Sequence, residues 1–255
     1  MKILVAVKQV PVRDSQLKVA PSGGWIDETD LAYEINEPDA YALEEALQLQ
    51  EKHGGEVVAL CAGPPRAAQA LREALAKGAH RAIHIEEEAA FDPLITARLL
   101  AAAARAESPD LILTGLQSDD LGAGQTGVIL AELLGLPHAT IAMEVEKLEG
   151  AIRVKRELED GWFVRVELPL PALVTIQSGI RKLRYATLMG IRKAKTKEIR
   201  RVTAADLGVP AAPPALEIGR IYPPARTKRT QLFEGDPREA VAQLVEKLRF
   251  EARVL

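Results

Sequence analysis

Residues 3–7, Ile-Leu-Val-Ala-Val, form an unbroken apolar run between Lys2 and Lys8. That is the pattern of a central parallel strand covered on both faces. Short apolar runs recur at 56–60, 81–85 and 111–114, separated by helically spaced segments at 67–77, 93–107 and 125–134. The punctuation agrees. Asn36-Glu37-Pro38-Asp39 offers an N-cap, an early proline and first-turn acids ahead of a helix over 41–52. Gly63-Pro64-Pro65 breaks the chain before the next helix, and Gly78, Gly135 and Pro137 supply stops. Strands alternating with helices of this length predict an α/β fold built on a doubly wound, mostly parallel sheet with right-handed crossovers.

After His138 the period changes to two. Segments 141–148, 152–158, 162–168 and 172–176 read as strands, with turns at Glu149-Gly150 and Asp160-Gly161, and predict antiparallel hairpin additions to the sheet. Residues 209–236 then carry Pro210, Pro213, Pro214, Pro223 and Pro224 before an amphipathic helix at 237–250. This reads as an extended C-terminal arm ending in a helix, which needs a surface to lie on. The expected division is a main domain over 1–208 and an arm over 209–255. A chain of 255 residues, 47% hydrophobic and 27% charged, is long enough for that core.

Composition removes several classes of function. The single cysteine, Cys61, excludes an internal disulfide and a thiolate metal cluster, and points to a reducing compartment. No apolar run is long enough for a signal peptide or a membrane span, so a cytoplasmic protein without direct membrane insertion is expected. A net charge of -3 gives no basic footprint for nucleic acid. Local charge is more informative: residues 27–45 carry only acids, while 181–201 carry nine basic residues and one acid, Glu198. That polarity suggests partner surfaces.

Candidate chemistry concentrates in 114–127, between a strand and a helix. Gly122, Gly124 and Gly127 spell GxGxxG, but a polar loop of six residues separates Gly122 from Gly115, where a nicotinamide-type fold turns directly. Main-chain N–H groups at Gly122 and Gly124 and a helix N-terminus at Gln125-Thr126 nevertheless suit an anion, at the strand edge where open α/β sheets bind ligands. The alternative is a glycine loop used only for tight turning. No catalytic set stands out: His53, His80, His84 and His138 are scattered, Ser118 lacks a nucleophile elbow, Asp119-Asp120 supply too few metal ligands, and Cys61 reads as a core residue. A non-enzyme without a metal is expected. In the basic stretch, Tyr185, Leu188, Met189 and Ile191 form an apolar anchor ringed by charge, either a solvated helix or a docking device.

Arg184-Tyr185-Ala186-Thr187-Leu188, followed by Ile191-Arg192-Lys193-Ala194-Lys195-Thr196-Lys197-Glu198-Ile199 and preceded by Pro171-Ala172-Leu173-Val174-Thr175, resembles the signature region of electron-transfer flavoprotein beta subunits. The resemblance extends to Val5-Ala6-Val7-Lys8, Asn36, Gly63-Pro64 and Gln125-Thr126-Gly127. It implies a heterodimer with a larger alpha subunit that holds most of the FAD, and a structural AMP in this chain. By position the AMP contacts are Ala6, Asn36, Ala62, Gly115, Leu116, Gln117, Ser118, Asp119, Asp120, Leu121, Gly122, Ala123, Gly124, Gln125 and Thr126. Asn36 would serve adenine or ribose groups.

The same resemblance makes Leu188 the anchor inserted into acyl-CoA or related flavoprotein dehydrogenases, in a recognition loop at about 181–201 with Tyr185 and Met189. Lys193, Lys195 and Lys197 would steer the encounter, and electrons would pass on toward a membrane-bound electron-transfer flavoprotein quinone oxidoreductase. The arm would wrap the alpha subunit. Where relatives approach the flavin with an aromatic residue after the first strand, this chain offers Arg13. Two alternatives stay open: a bifurcating flavoprotein with a second FAD in place of AMP, whose members carry a threonine-alanine pair where this chain has Ala123-Gly124, and a stand-alone adenine-nucleotide regulator, which leaves the basic loop and arm unexplained.

Overall fold

The computed structural model describes residues 1–87, 92–225 and 230–255. The chain divides into two compact units, Met1–Arg220 and Ile221–Leu255. In the first unit the strands are β1 (Lys2–Ala6), β2 (Gln9–Pro11), β3 (Tyr33–Ile35), β4 (Glu56–Gly63), β5 (Arg81–Glu86), β6 (Leu111–Gly115), β7 (His138–Lys147), β8 (Ala151–Glu157), β9 (Phe163–Pro169), β10 (Ala172–Ile176) and β11 (Ile199–Val202). Its helices are α1 (Glu37–His53), α2 (Ala68–Lys77), α3 (Pro93–Glu107), α4 (Thr126–Leu134) and α5 (Leu188–Ala194). The second unit carries α6 (Pro237–Phe250), capped by the Asp236 side chain.

Nine strands form one sheet in the order β11-β5-β4-β1-β6-β10-β7-β8-β9, and β2 pairs with β3 in a separate antiparallel ribbon. The unbroken apolar runs explain the centre. In β1, Ile3 and Val5 join one apolar cluster with Leu43 and Leu47 of α1 and Leu71 and Leu75 of α2. Leu4 joins a second cluster with Leu99 and Leu100 of α3 and Leu130 of α4. Alternate residues of one strand therefore feed opposite layers, and both faces of the central sheet are covered.

The predicted parallel arrangement holds for β5, β4, β1 and β6, and β11 adds to it in parallel beside β5. The hairpins are β7–β8 and β8–β9, both antiparallel. Segment 172–176 is different: β10 lies parallel between β6 and β7, not in a hairpin with β9. Its five residues are all buried, the signature of a strand covered on both faces, whereas β9 alternates between exposed and half-buried positions. The pattern did not announce the β2–β3 ribbon, or β11, an edge strand inside the basic stretch.

The amino ends of the strands are stapled by charge. Glu107, at the end of α3, is buried and accepts from Arg81 at 2.6 Å; Arg81 also holds Glu56 at 2.8 Å, and Lys2 lies 3.6 Å from Glu107. The Arg81 hydrogen bond holds the Glu107 carboxyl below the usual carboxylate range, against the effect of burial. Removing one member of such a cluster leaves the others uncompensated. Glu107→Ala is expected to lower stability by about 3 kcal/mol at neutral pH, read as a fall in the urea midpoint.

Candidate functional site

From β1 the chain winds outward through β4 and β5, then returns by α3 to β6 on the other side of β1. The carboxyl ends of β1 and β6 thus flank a topological switch point, where open α/β sheets leave a crevice. A cleft opens there, walled by Ala6 of β1, Ala62 of β4, Thr114 of β6, the β2–β3 ribbon, the first turns of α3 and α4, and the glycine loop between β6 and α4.

Asp39, in the first turn of α1, holds the crevice together. Its carboxylate is buried, and its two oxygens accept separately from the Lys8 amide after β1 and from the Gly115 amide at the end of β6, each at 2.8 Å. Gly115 has to be glycine, because a Cβ there would collide with the Asp39 carboxylate and Pro38. Asn36 stands at the N-cap position of α1, yet its side chain does not cap the helix. It crosses to the glycine loop instead, donating to the Gln117 carbonyl and accepting from the Asp119 amide, both at 2.9 Å. The Lys8 ammonium pairs with Asp120 at 2.7 Å and ties the same loop to β1.

Of the residues expected to touch a nucleotide, all but Asp119 and Gly122 line this cleft. Those two shape the loop: Asp119 through Asn36, and Gly122 by donating its amide to the Ser118 carbonyl at 2.7 Å. Gly122 and Gly124 both have φ of 63°, the left-handed region in which glycine is at ease. The loop ends at the N-terminus of α4, whose first amides have no partner inside the helix. The cleft's further residues include Lys8, Asp39, Tyr33 and Arg66. The Arg66 guanidinium lies 4.2 Å over the Tyr33 ring and grips Glu28 at 2.9 Å. Asp39 had a visible signal, an acid in a helix first turn, but one equally at home on a solvated helix end.

His84 is buried in β5 with Nε2 3.0 Å from the Gly63 carbonyl oxygen, and Cys61 is buried in β4, where the apolar surround pushes its thiol up to about 12. Arg13 is exposed and faces Glu37 at 3.4 Å. Among the described residues no group of three or more His, Cys, Asp or Glu is placed to hold a metal, and no helix is long and apolar enough to cross a membrane.

The basic stretch divides. Tyr185, Leu188 and Met189 are exposed by 92%, 83% and 66% on and before the short helix α5. Lys193 and Lys195 are exposed beside them. Lys197 is turned inward, its ammonium donating to the carbonyls of Leu75 and Ala79 near the end of α2, so it is not an outward steering charge. Arg181 and Arg184 pair with Glu45 and Glu44 of α1 at 2.6 and 2.8 Å. Part of the acidic and basic polarity in the sequence is therefore satisfied within the chain.

Residues 23–207 match the electron transfer flavoprotein domain. The chain belongs to the electron transfer flavoprotein family. Three relatives, each called electron transfer flavoprotein subunit beta, illustrate the likeness. The protein of Methylophilus methylotrophus is 37% identical over 96% of this chain and 97% of its own. That of Bradyrhizobium diazoefficiens is 39% identical over the whole of both chains. The human protein is 36% identical over 100% of this chain and 99% of its own. The matched region spans the glycine loop, Asp39 and the exposed turn at Leu188.

In this family member the Asp39 carboxyl is pushed by burial up to about 7, against the opposing hydrogen bonds from Lys8 and Gly115. Between about 4, where a carboxylate of the unfolded chain titrates, and about 7, the folded protein keeps a proton that the unfolded chain has released. Stability from this group is thus complete below about 4 and declines as pH rises through the window, by up to about 1.4 kcal/mol per unit. Asp39→Asn is expected to remove that slope. Urea midpoints of both proteins at several pH values from 5 to 8 measure the difference.

Proposed function

We propose that this chain is the beta subunit of a heterodimeric electron-transfer flavoprotein: it binds AMP in the cleft at the switch point, helps a larger alpha subunit hold FAD, and docks flavoprotein dehydrogenases through Leu188. The observation that carries the reading is the glycine loop, held by Asn36 and Lys8, with the N-terminus of α4 opening into the cleft.

The residues present fit an adenine mononucleotide. Among the described residues the cleft's two cations each face an acid, Lys8 with Asp120 and Arg66 with Glu28. Attraction for a phosphate therefore falls to the amides of residues 123–126 and the positive end of α4. Ala6 and Ala62, small residues at the ends of β1 and β4, leave room for a flat base against the sheet edge. Asn36 acts by holding the loop, since its side-chain amide already bonds on both sides to the main chain there. FAD, when bound with the alpha subunit, supplies the electron acceptor, and this chain orients the complex and presents the docking turn. Acyl-CoA or related dehydrogenases are the donors in this reading, and a membrane quinone oxidoreductase receives the electrons.

Denaturing the purified protein and identifying what it releases tests the nucleotide site: one AMP per chain is expected, and FAD in that site would move the reading to a bifurcating flavoprotein. Docking is tested separately. Burying one leucine stabilises a transient complex by about 2 kcal/mol, so Leu188→Ala should slow electron transfer from the donor dehydrogenase more than about tenfold at low donor concentration, with nucleotide content unchanged. An unaltered rate removes Leu188 from the role.

A further inference from the structure

The exposed turn at Leu188 is held at both ends by helices that begin at the nucleotide cleft. On its amino side Arg184 forks onto α1, with Nε 2.8 Å and Nη2 3.0 Å from the Glu44 carboxylate and Nη1 2.6 Å from Glu51. Arg181 holds Glu45 beside it at 2.6 Å. Glu44 and Glu45 are buried, and a buried carboxylate needs its cation. The Glu44 carboxyl is accordingly held low: burial resists ionisation, but the hydrogen bonds from Arg184 and Gln48 outweigh it.

On its carboxyl side the segment is sewn to α2. Arg72 donates to the carbonyls of Ala194 at 2.6 Å and Lys197 at 2.8 Å. The Lys197 ammonium sits on the carbonyls of Leu75 and Ala79, where the negative end of α2 favours a cation. Between these stitches α5 lies so close to α2 that a Cβ on Gly190 would collide with the Ala76 carbonyl oxygen. Leu188 and Met189 therefore take their direction from α1 and α2.

Both helices start at the cleft. Asn36 and Asp39, at the head of α1, grip the glycine loop and the ends of β1 and β6, and Asp39 is only about 7.5 Å along the helix from Glu44. The turn into α2 contributes Pro64, Arg66 and Ala67 to the cleft wall, about 12 Å along α2 from Ala76. A helix of this length moves as one piece.

We propose that Arg184 and Arg72 are positioning residues for donor docking, and that through α1 and α2 the occupancy of the nucleotide cleft sets the order of the 185–197 segment carrying Leu188. This rests on the nucleotide and docking readings above. Linkage makes the coupling reciprocal: if bound AMP orders the segment, loosening the segment loosens AMP.

The test uses the purified protein with whichever subunit accompanies it, loaded with radiolabelled AMP or stripped of nucleotide. Two alterations cut one anchor each: Glu44→Gln with Arg184→Met, which leaves no unpaired buried charge, and Arg72→Met, which serves if the first fails to fold. Leu188→Ala is the control. Stripping AMP is expected to speed hydrogen exchange across 185–197 about tenfold. Either anchor variant should release AMP about tenfold faster and, at saturating AMP, raise KM for the donor dehydrogenase with kcat unchanged. Leu188→Ala should raise the same KM while AMP release and exchange stay as in the parent. Equal exchange with and without AMP, AMP release from the anchor variants at the parent's rate, or no AMP binding at all overturns the proposal. A donor KM unmoved by Leu188→Ala counts against the docking reading alone, because AMP release and hydrogen exchange report the coupling independently.

Discussion

One buried carboxylate determines the geometry of the candidate site. Asp39 bridges the main chain after β1 and at the end of β6, two neighbouring parallel strands, at the switch point. It does so from the first turn of α1, so the position of a helix and the width of a crevice follow from one side chain. Gly115 is required by the same contact, and the loop that begins there inherits its starting direction. Lys8 and Asn36 then fix the loop at two further points. The ends of β1 and β6 and the glycine loop thus all meet at the head of α1.

The fold was readable where burial is two-sided or where alternation is clean. The run at 3–7 is wholly apolar and that at 111–114 is apolar up to Thr114 at its end, and both are central strands with apolar clusters above and below. Legibility fell where one local pattern serves two topologies. Segment 172–176 follows three hairpin strands closely enough to look like a fourth, but its uniform burial fits its place parallel between β6 and β7. The β2 and β3 strands are three residues each, too short for a period to register. Most of the glycine loop's part in the cleft was visible in its residues, whereas the roles of Asp39 and Lys8 depend on partners 76 and 112 positions away.

Charge shows the same contrast. An acid-only stretch and a base-rich stretch suggest outward surfaces when read along the chain, because a sequence does not say which charges face each other. In three dimensions the arginines that open the basic stretch lie on the acids of α1, and Lys197 closes the end of α2. What remains outside is a smaller and more apolar feature, Tyr185, Leu188 and Met189 with Lys193 and Lys195 beside them. Internal pairing of the longer-range charges makes the exposed turn a fixed projection rather than a mobile basic tail.

The nine-stranded sheet leaves two edges, and each carries features that discourage further pairing. At one end β11 is four residues long, with Arg200 and Arg201 exposed. At the other, β9 turns Phe163, Arg165 and Glu167 outward and finishes on Pro169, which has no amide hydrogen to offer an incoming strand. A short cationic edge and a charged edge ending in proline both resist strand-by-strand stacking. Neither edge is therefore a ready template for a strand from a second copy of the chain.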